Sequence, residues 1–197
     1  MDTLALVDDR VAYSLDEGGV FTVPLAGGRV RAVPGAGHHH ILSWPWVGTP
    51  GEHPPSDGTP TFATIRNVDT GEVRAALVKP GERWVHCGVA RCQGGFAEGR
   101  PFQRSRDGTG QTALPGGASV RGLALDRFYT VHYFARPGRP QSLCDLVTGK
   151  CGDLGLRELP AARSGTVILP EVDTRLLDYE VGDQHVVIDL ERITRTG

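Results

Sequence analysis

The 197 residues carry 21 basic and 23 acidic side chains, for a formal charge of -2, which excludes the basic surface that nucleic-acid binding requires. Hydrophobic residues make up 39%, enough for a core, and the length suits one domain or two small ones. With 27 Gly and 14 Pro the chain is rich in turn formers, yet short of a disordered or collagen-like composition.

The chain opens on MDTLALVDDR, an acidic stretch that reads directly into a strand. It has neither a basic leader nor a long apolar segment, so no signal peptide is expected. No apolar run approaches the length of a membrane span. RVAYSL then sets Val11, Tyr13 and Leu15 on one strand face. VFTVPL does the same with Phe21, Val23 and Leu25, and PLAGGRV follows as a turn around Gly28. Asp8-Asp9 and Asp16-Glu17 read as turns, and Pro34-Gly35 as a breaker.

GHHH at 37–40 offers imidazoles to a metal. On an extended strand His38 and His40 share a side and His39 points away, so a third ligand would come from His53, His86 or Asp57. The bland alternative is a solvated start to a strand. SWPWVG at 43–48 puts Trp44 and Trp46 on one face if extended, with Pro45 opposing central pairing. That segment suits either a rim that binds sugars or peptides, with His53 nearby, or packing between sheets. The insertion GTPGEHPPSDGTP, residues 48–60, is expected to project from one face.

TFATIRNV reads as a strand and leads into NVDTGEV, a turn around Gly71. Pro80-Gly81 breaks the chain again. Cys87 and Cys92 bracket GVAR. SRDGTGQT turns at Gly110, and Pro115-Gly116 follows. GLALDRFYTVHYF is a long aromatic and β-branched stretch. DLVTGKC turns at Gly149 with Cys144 and Cys151 on either side. GLRELPAARSG is the one segment with room for a turn or two of helix, limited by Pro160. LLDYEV and HVVIDL are closing strands, and Asp189-Leu190 matches Asp145-Leu146, with a last turn at Thr196-Gly197.

Gly28, Gly71, Gly110 and Gly149 are 43, 39 and 39 residues apart. Each supplies the positive φ a tight turn demands, and an upstream Asp or Asn tightens the bend. A sandwich has no reason to repeat a hairpin every 40 residues or so, whereas a propeller blade is a four-stranded meander of about that length. The expectation is an all-β propeller of four-stranded antiparallel blades within a single domain or fragment. It has about five units, at 3–35, 38–80, 83–116, 119–157 and 164–197. The fifth lacks its outer strand, so the ring is incomplete or open, completed by a flanking domain or a second copy. PLAGGRV, NVDTGEV, RDGTGQT and DLVTGKC resemble the turn phrases of bacterial TolB-like and YVTN-like β-propellers.

The even cysteine count and the local spacing fit two disulfides, Cys87 with Cys92 and Cys144 with Cys151, and an extracellular or cell-envelope location. Reduced thiols in the cytoplasm are the alternative. A four-Cys zinc site fits the spacing of the first pair and not the second. No cofactor is expected, since the chain has no G-x-S-x-G elbow, no H-E-x-x-H and no phosphate loop. The leading functional expectation is a non-catalytic binding or scaffolding module for a protein, peptide or glycan. A metal-assisted hydrolase around His38, His40 and His86 is one alternative. A structural portion of a larger multidomain protein is another.

Overall fold

The computed structural model describes residues 3–51, 60–77, 79–114, 119–132, 140–157 and 175–193. They form four antiparallel four-stranded blades and a fifth, two-stranded sheet, the arrangement of an all-β propeller. The first blade holds β1 (Leu4–Val7), β2 (Arg10–Ser14), β3 (Val20–Pro24) and β4 (Arg31–Ala32). The second holds β5 (His40–Ser43), β6 (Trp46–Gly48), β7 (Thr64–Asn67) and β8 (Val73–Ala75). The third holds β9 (Glu82–Cys87), β10 (Arg91–Phe96), β11 (Pro101–Ser105) and β12 (Thr112–Ala113). The fourth holds β13 (Ser119–Ala124), β14 (Phe128–His132), β15 (Pro140–Asp145) and β16 (Cys151–Arg157). The partial sheet holds β17 (Leu176–Val181) and β18 (Gln184–Asp189). Within every sheet the strands lie side by side in chain order.

Strand patterning works as a row of cross-strand pairs. In the first blade Leu4 stands across from Tyr13, Tyr13 across from Phe21, and Phe21 across from Ala32. The Tyr13 and Phe21 rings stack with centroids 5.7 Å apart, which is the side-chain pairing that stabilises sheets. One short helix departs from the all-strand expectation: α1 (Leu190–Ile193) follows β18 directly. Its start is capped where the Glu191 amide donates to Asp189 Oδ1 at 3.1 Å, and buried Leu190 anchors it. No helix of the described residues is long and apolar enough to cross a membrane.

The repeated turns join the third and fourth strands of each blade. Asn67 Oδ1 accepts the amides of Asp69 and Thr70, both at 3.0 Å, while the Gly71 amide donates to the Asn67 carbonyl. Asp145 repeats the arrangement, taking the Val147 amide on Oδ1 and the Gly149 amide on its carbonyl. Gly71 and Gly149 sit at φ 75° and 68°, in the left-handed region. In the third blade the Thr109 amide bonds Asp107 Oδ1 and Gly110 lies at φ 61°. In the first, Gly27 and Gly28 share the bend at φ 83° and 137°.

A second bond recurs in all five units. The residue leaving the third strand donates its amide to the carbonyl just before the second strand. The pairs are Leu25 to Asp9, Val68 to Pro45, Arg106 to Ala90, Leu146 to Arg127 and Leu190 to Arg175. This bond places β17 and β18 as the second and third strands of unit five.

Among the described residues four apolar cores lie between sheets, and a further cluster of Val85, Cys87, Cys92 and Phe102 lies within the third blade beside Ala76. Ala12 and Val20 of blade one pack with Ile41 and Val47 of blade two. Leu42, Trp46 and Ile65 of blade two meet Val89 of the third unit. Tyr129, Val131 and Cys144 of blade four meet Leu114 at the end of the third. Leu143 and Leu154 of blade four pack with Leu177 of the partial sheet.

The second and third blades are also joined by buried charge. Arg104 is fully buried and forms a two-pronged pair with Glu82, at 2.9 and 2.6 Å. It further donates to the carbonyls of Leu77 and Ser105. Arg106 donates to the carbonyls of Gly88, Phe62 and Ala63.

Both features bear on stability. Glu82→Ala leaves Arg104 buried without its counter-charge and is expected to cost about 3–5 kcal/mol in urea unfolding; a loss below about 1 kcal/mol would mean that water reaches the pair. A Cβ on Gly149 meets nothing within 4 Å, so only the backbone resists substitution. Gly149→Val should therefore cost about 1–3 kcal/mol and Gly149→Asn clearly less, and equal losses would reject the backbone account.

Candidate functional site

A groove of about 460 Å³ runs between the fourth blade and the partial sheet. Its floor is apolar. Phe128, Leu143 and Leu154 are 1%, 8% and 5% exposed, and all three belong to the core cluster that seats the partial sheet. Ile188 of β18 and Ile193 of α1 form the facing wall. The rim is polar, with Arg127, Asp145, Thr148, Lys150 and Asp153. Strand alternation sorts these groups: Leu143 and Asp145 both face the groove, while Cys144 between them faces the third blade.

The rim is ordered by one carboxylate. Arg127 donates Nε–H to Asp145 Oδ1 and Nη2–H to Oδ2, both at 2.7 Å. The Thr148 hydroxyl donates to Oδ2 at 2.8 Å. The guanidinium is also 5.2 Å from the centroid of the Phe128 ring. The Arg127 hydrogen bonds, with help from Thr148 and the Val147 amide against the opposing effect of burial, hold the Asp145 carboxyl well below the usual carboxylate range. Two-pronged pairs of this kind fix orientation as well as charge. The partial sheet repeats the device on its own: Arg175 donates to Asp189 at 3.1 and 2.7 Å, and Asp189 caps the Glu191 amide as Asp145 caps Val147.

The tryptophans singled out in the sequence are packing residues in their surroundings, and they do not share a face. Ser43 and Trp46 pair directly, so Trp44 and the cis-linked Pro45 form a tight turn between β5 and β6 instead of an extended run. Trp44 packs against the core between the first two blades, and Trp46 is 8% exposed in the next core along. The guanidinium of Arg74 covers the Trp46 ring at 4.4 Å. The alternation expected for the histidines is likewise replaced. Only His40 lies in a strand; His38 belongs to a turn, and the His39 carbonyl accepts the Gly19 amide of the first blade. His86 stands in β9 of the third blade, with Nδ1 3.2 Å from the Thr61 hydroxyl. His53 and Asp57 lie outside the described residues, as do Pro115-Gly116 and the turn at Thr196-Gly197. Among the described residues no group of three or more His, Cys, Asp or Glu is placed to hold a metal ion.

The cysteines form two bridges, Cys87–Cys92 and Cys144–Cys151, each between residues directly opposite on adjacent strands. Cys151 also lines the groove wall. Bridges of this kind persist in oxidising surroundings and place the chain outside the cell or in its envelope.

Sequence reasoning missed two features. One is the groove, whose residues come from separate strands and a helix. The other is Trp84, 50% exposed on β9 with φ 51°, a rare backbone angle for a bulky residue. The glycine pair Gly94-Gly95 on the neighbouring strand was the signal available for an irregular ladder there.

No protein-family model and no curated protein matches the sequence. Among solved structures the chain is similar to an oligogalacturonate lyase in complex with manganese, at 15% identity and a TM-score of 0.47. The match covers 94% of this chain and 60% of the lyase, so the chain spans less than two thirds of that protein's length.

The Asp145 pair carries a pH signature. Its folded value is depressed, so its contribution is fully present above the unfolded carboxylate value near 4 and is lost as pH falls below it. Asp145→Asn should therefore unfold more easily than the parent at pH 7, with the gap narrowing as acid is added. A gap unchanged down to about pH 2 would show that the charge of Asp145 contributes nothing.

Proposed function

We propose that the chain is a non-catalytic binding and scaffolding module of the β-propeller type, and that the groove beside the partial sheet is its docking site. The observation that carries this reading is the groove's composition. An apolar floor inside a charged, hydrogen-bonded rim suits a ligand that inserts apolar side chains and keeps polar backbone or side-chain groups at the edge. That pattern favours a protein or peptide over a glycan. Sugars stack on open aromatic faces, and the groove's one ring, Phe128, is buried, with the Arg127 guanidinium over it. Kinship to the TolB-like and YVTN-like propellers, implied by the turn phrases, belongs to the same proposal. So does the absence of catalysis.

Trp84 supports a second reading. An exposed indole held at a strained backbone angle marks a candidate contact surface on the first strand of the third blade.

A phage-displayed library of extended decapeptides separates the two. The groove reading expects enrichment of peptides with alternating apolar residues. Their binding should fall at least tenfold in Ile193→Asp and stay unchanged in Trp84→Ala, with both variants keeping the parent's thermal midpoint. Binding lost only in Trp84→Ala would move the site to β9, and no enrichment at all would overturn the groove as a docking site.

A further inference from the structure

We propose that the outer edge of β18 is a strand-acceptor site, filled in trans by an extended peptide segment of another protein that pairs with β18 and lays alternate apolar side chains over the groove floor. The proposal rests on the groove being a docking site and names how its partner binds.

The repeat supplies the argument. In the four complete blades a fourth strand, β4, β8, β12 or β16, pairs with the outer edge of the third. The recurring bond from Leu190 to Arg175, and the Arg175–Asp189 pair that repeats Arg127–Asp145, place β18 as the third strand of its unit. β18 pairs with β17 along one edge, and among the described residues no strand lies on the other. In the second and fourth blades the residue matching Asp189 begins a tight Thr-Gly turn that leads straight into the fourth strand. After Asp189 the backbone coils into α1 instead. Among the described residues the position that every complete blade fills is thus left open, and the groove lies beside it.

The second blade supplies a model for the occupant, whereas the fourth sets Cys151 and Asp153 at the matching positions. Superposing third strands on their terminal Asn67 and Asp189 aligns Arg66 with Ile188 and Thr64 with Val186. In the second blade Val73 stands across from Arg66 and Ala75 across from Thr64. An incoming strand of the β8 type would therefore set its valine beside Ile188 and its alanine beside Val186. Ile188 lines the groove and Val186 is half-buried on the same face, whereas Val187 between them is 55% exposed on the other. An edge on which no described strand lies, next to an apolar trough, is the arrangement that strand addition uses: main-chain bonds supply affinity and alternate side chains supply specificity.

The test uses the 197-residue protein and a synthetic peptide with its own residues 71–77, Gly-Glu-Val-Arg-Ala-Ala-Leu. Amide exchange is followed with and without peptide. Alternate amides of β18 should slow at least tenfold on saturation, while those of β4 and β12 do not change. The same peptide N-methylated at alternate positions should lose at least tenfold in affinity, and Ile193→Asp should weaken the unmodified peptide similarly. Equal binding of the N-methylated peptide would overturn strand pairing while leaving the groove as a docking site for side chains. Protection of both edges of β18 before peptide is added would also overturn the proposal, with monomers by light scattering pointing to a segment of the chain itself and dimers to a second copy. No binding of the peptide, with an unprotected β18 edge, would reject the site.

Discussion

Most apolar cores among the described residues are shared between neighbouring sheets, and one, around Val85, Cys87, Cys92 and Phe102, lies within the third blade. A four-stranded sheet with strands of two to seven residues buries little by itself, so most apolar faces are satisfied by the next sheet along. These cores draw on neighbouring units: Val20 with Ile41, Trp46 with Val89, Val131 with Leu114, Leu154 with Leu177. Stability is then a sum of nearest-neighbour terms, as in other repeat architectures. Large apolar side chains are exposed on the terminal sheets, where Leu6 is 71% and Val187 55% exposed, and equally on interior blades, where Val73 is 61% and Val147 68% exposed.

Much of this was legible in the sequence because it is written locally. A turn built on a left-handed glycine, in three of four cases with an upstream Asn or Asp, leaves a short, recognisable phrase, and four such glycines at near-constant spacing imply blades. The cysteine spacings worked for the same reason, since each pair spans one hairpin. For the tryptophan segment a shared face required an extended chain, whereas the backbone turns at Pro45, and both rings join the packing between sheets that is the segment's other reading. The histidines misled similarly: the strand starts at His40, so alternation has no meaning for His38 and His39. The groove had no local phrase at all. Its frame left a partial trace. Arg127 and Arg175 each precede a strand whose partner ends in Asp-Leu, at Asp145-Leu146 and Asp189-Leu190. The matching Asp-Leu pairs stand out in the sequence, whereas the arginines that complete them lie 18 and 14 residues upstream and are joined to them only by the fold.

The interface between the second and third blades shows a different solution to the same packing problem. The backbone leading into β7 is irregular there, with Phe62 at φ 50°, although the Ala63 carbonyl still accepts the Ala76 amide. Arg106 supplies donors to the Phe62 and Gly88 carbonyls and a second donor to that of Ala63. Burial pushes its guanidinium down to about 10, which still leaves it a cation at neutral pH. At the next interface Asp126 does the converse, accepting the amides of Ala90 and Arg91 from the turn of the third blade. Charged side chains here act as substitutes for backbone partners.

Both disulfides lie inside single blades. Cys87–Cys92 ties the first two strands of the third, and Cys144–Cys151 ties the last two of the fourth. Neither spans a connection between blades. A protease that cut the link between β12 and β13 would therefore release two pieces with no covalent tie between them, one carrying each bridge. The bridges protect hairpins from opening, while the integrity of the whole array after such a cut would rest on the packed faces alone.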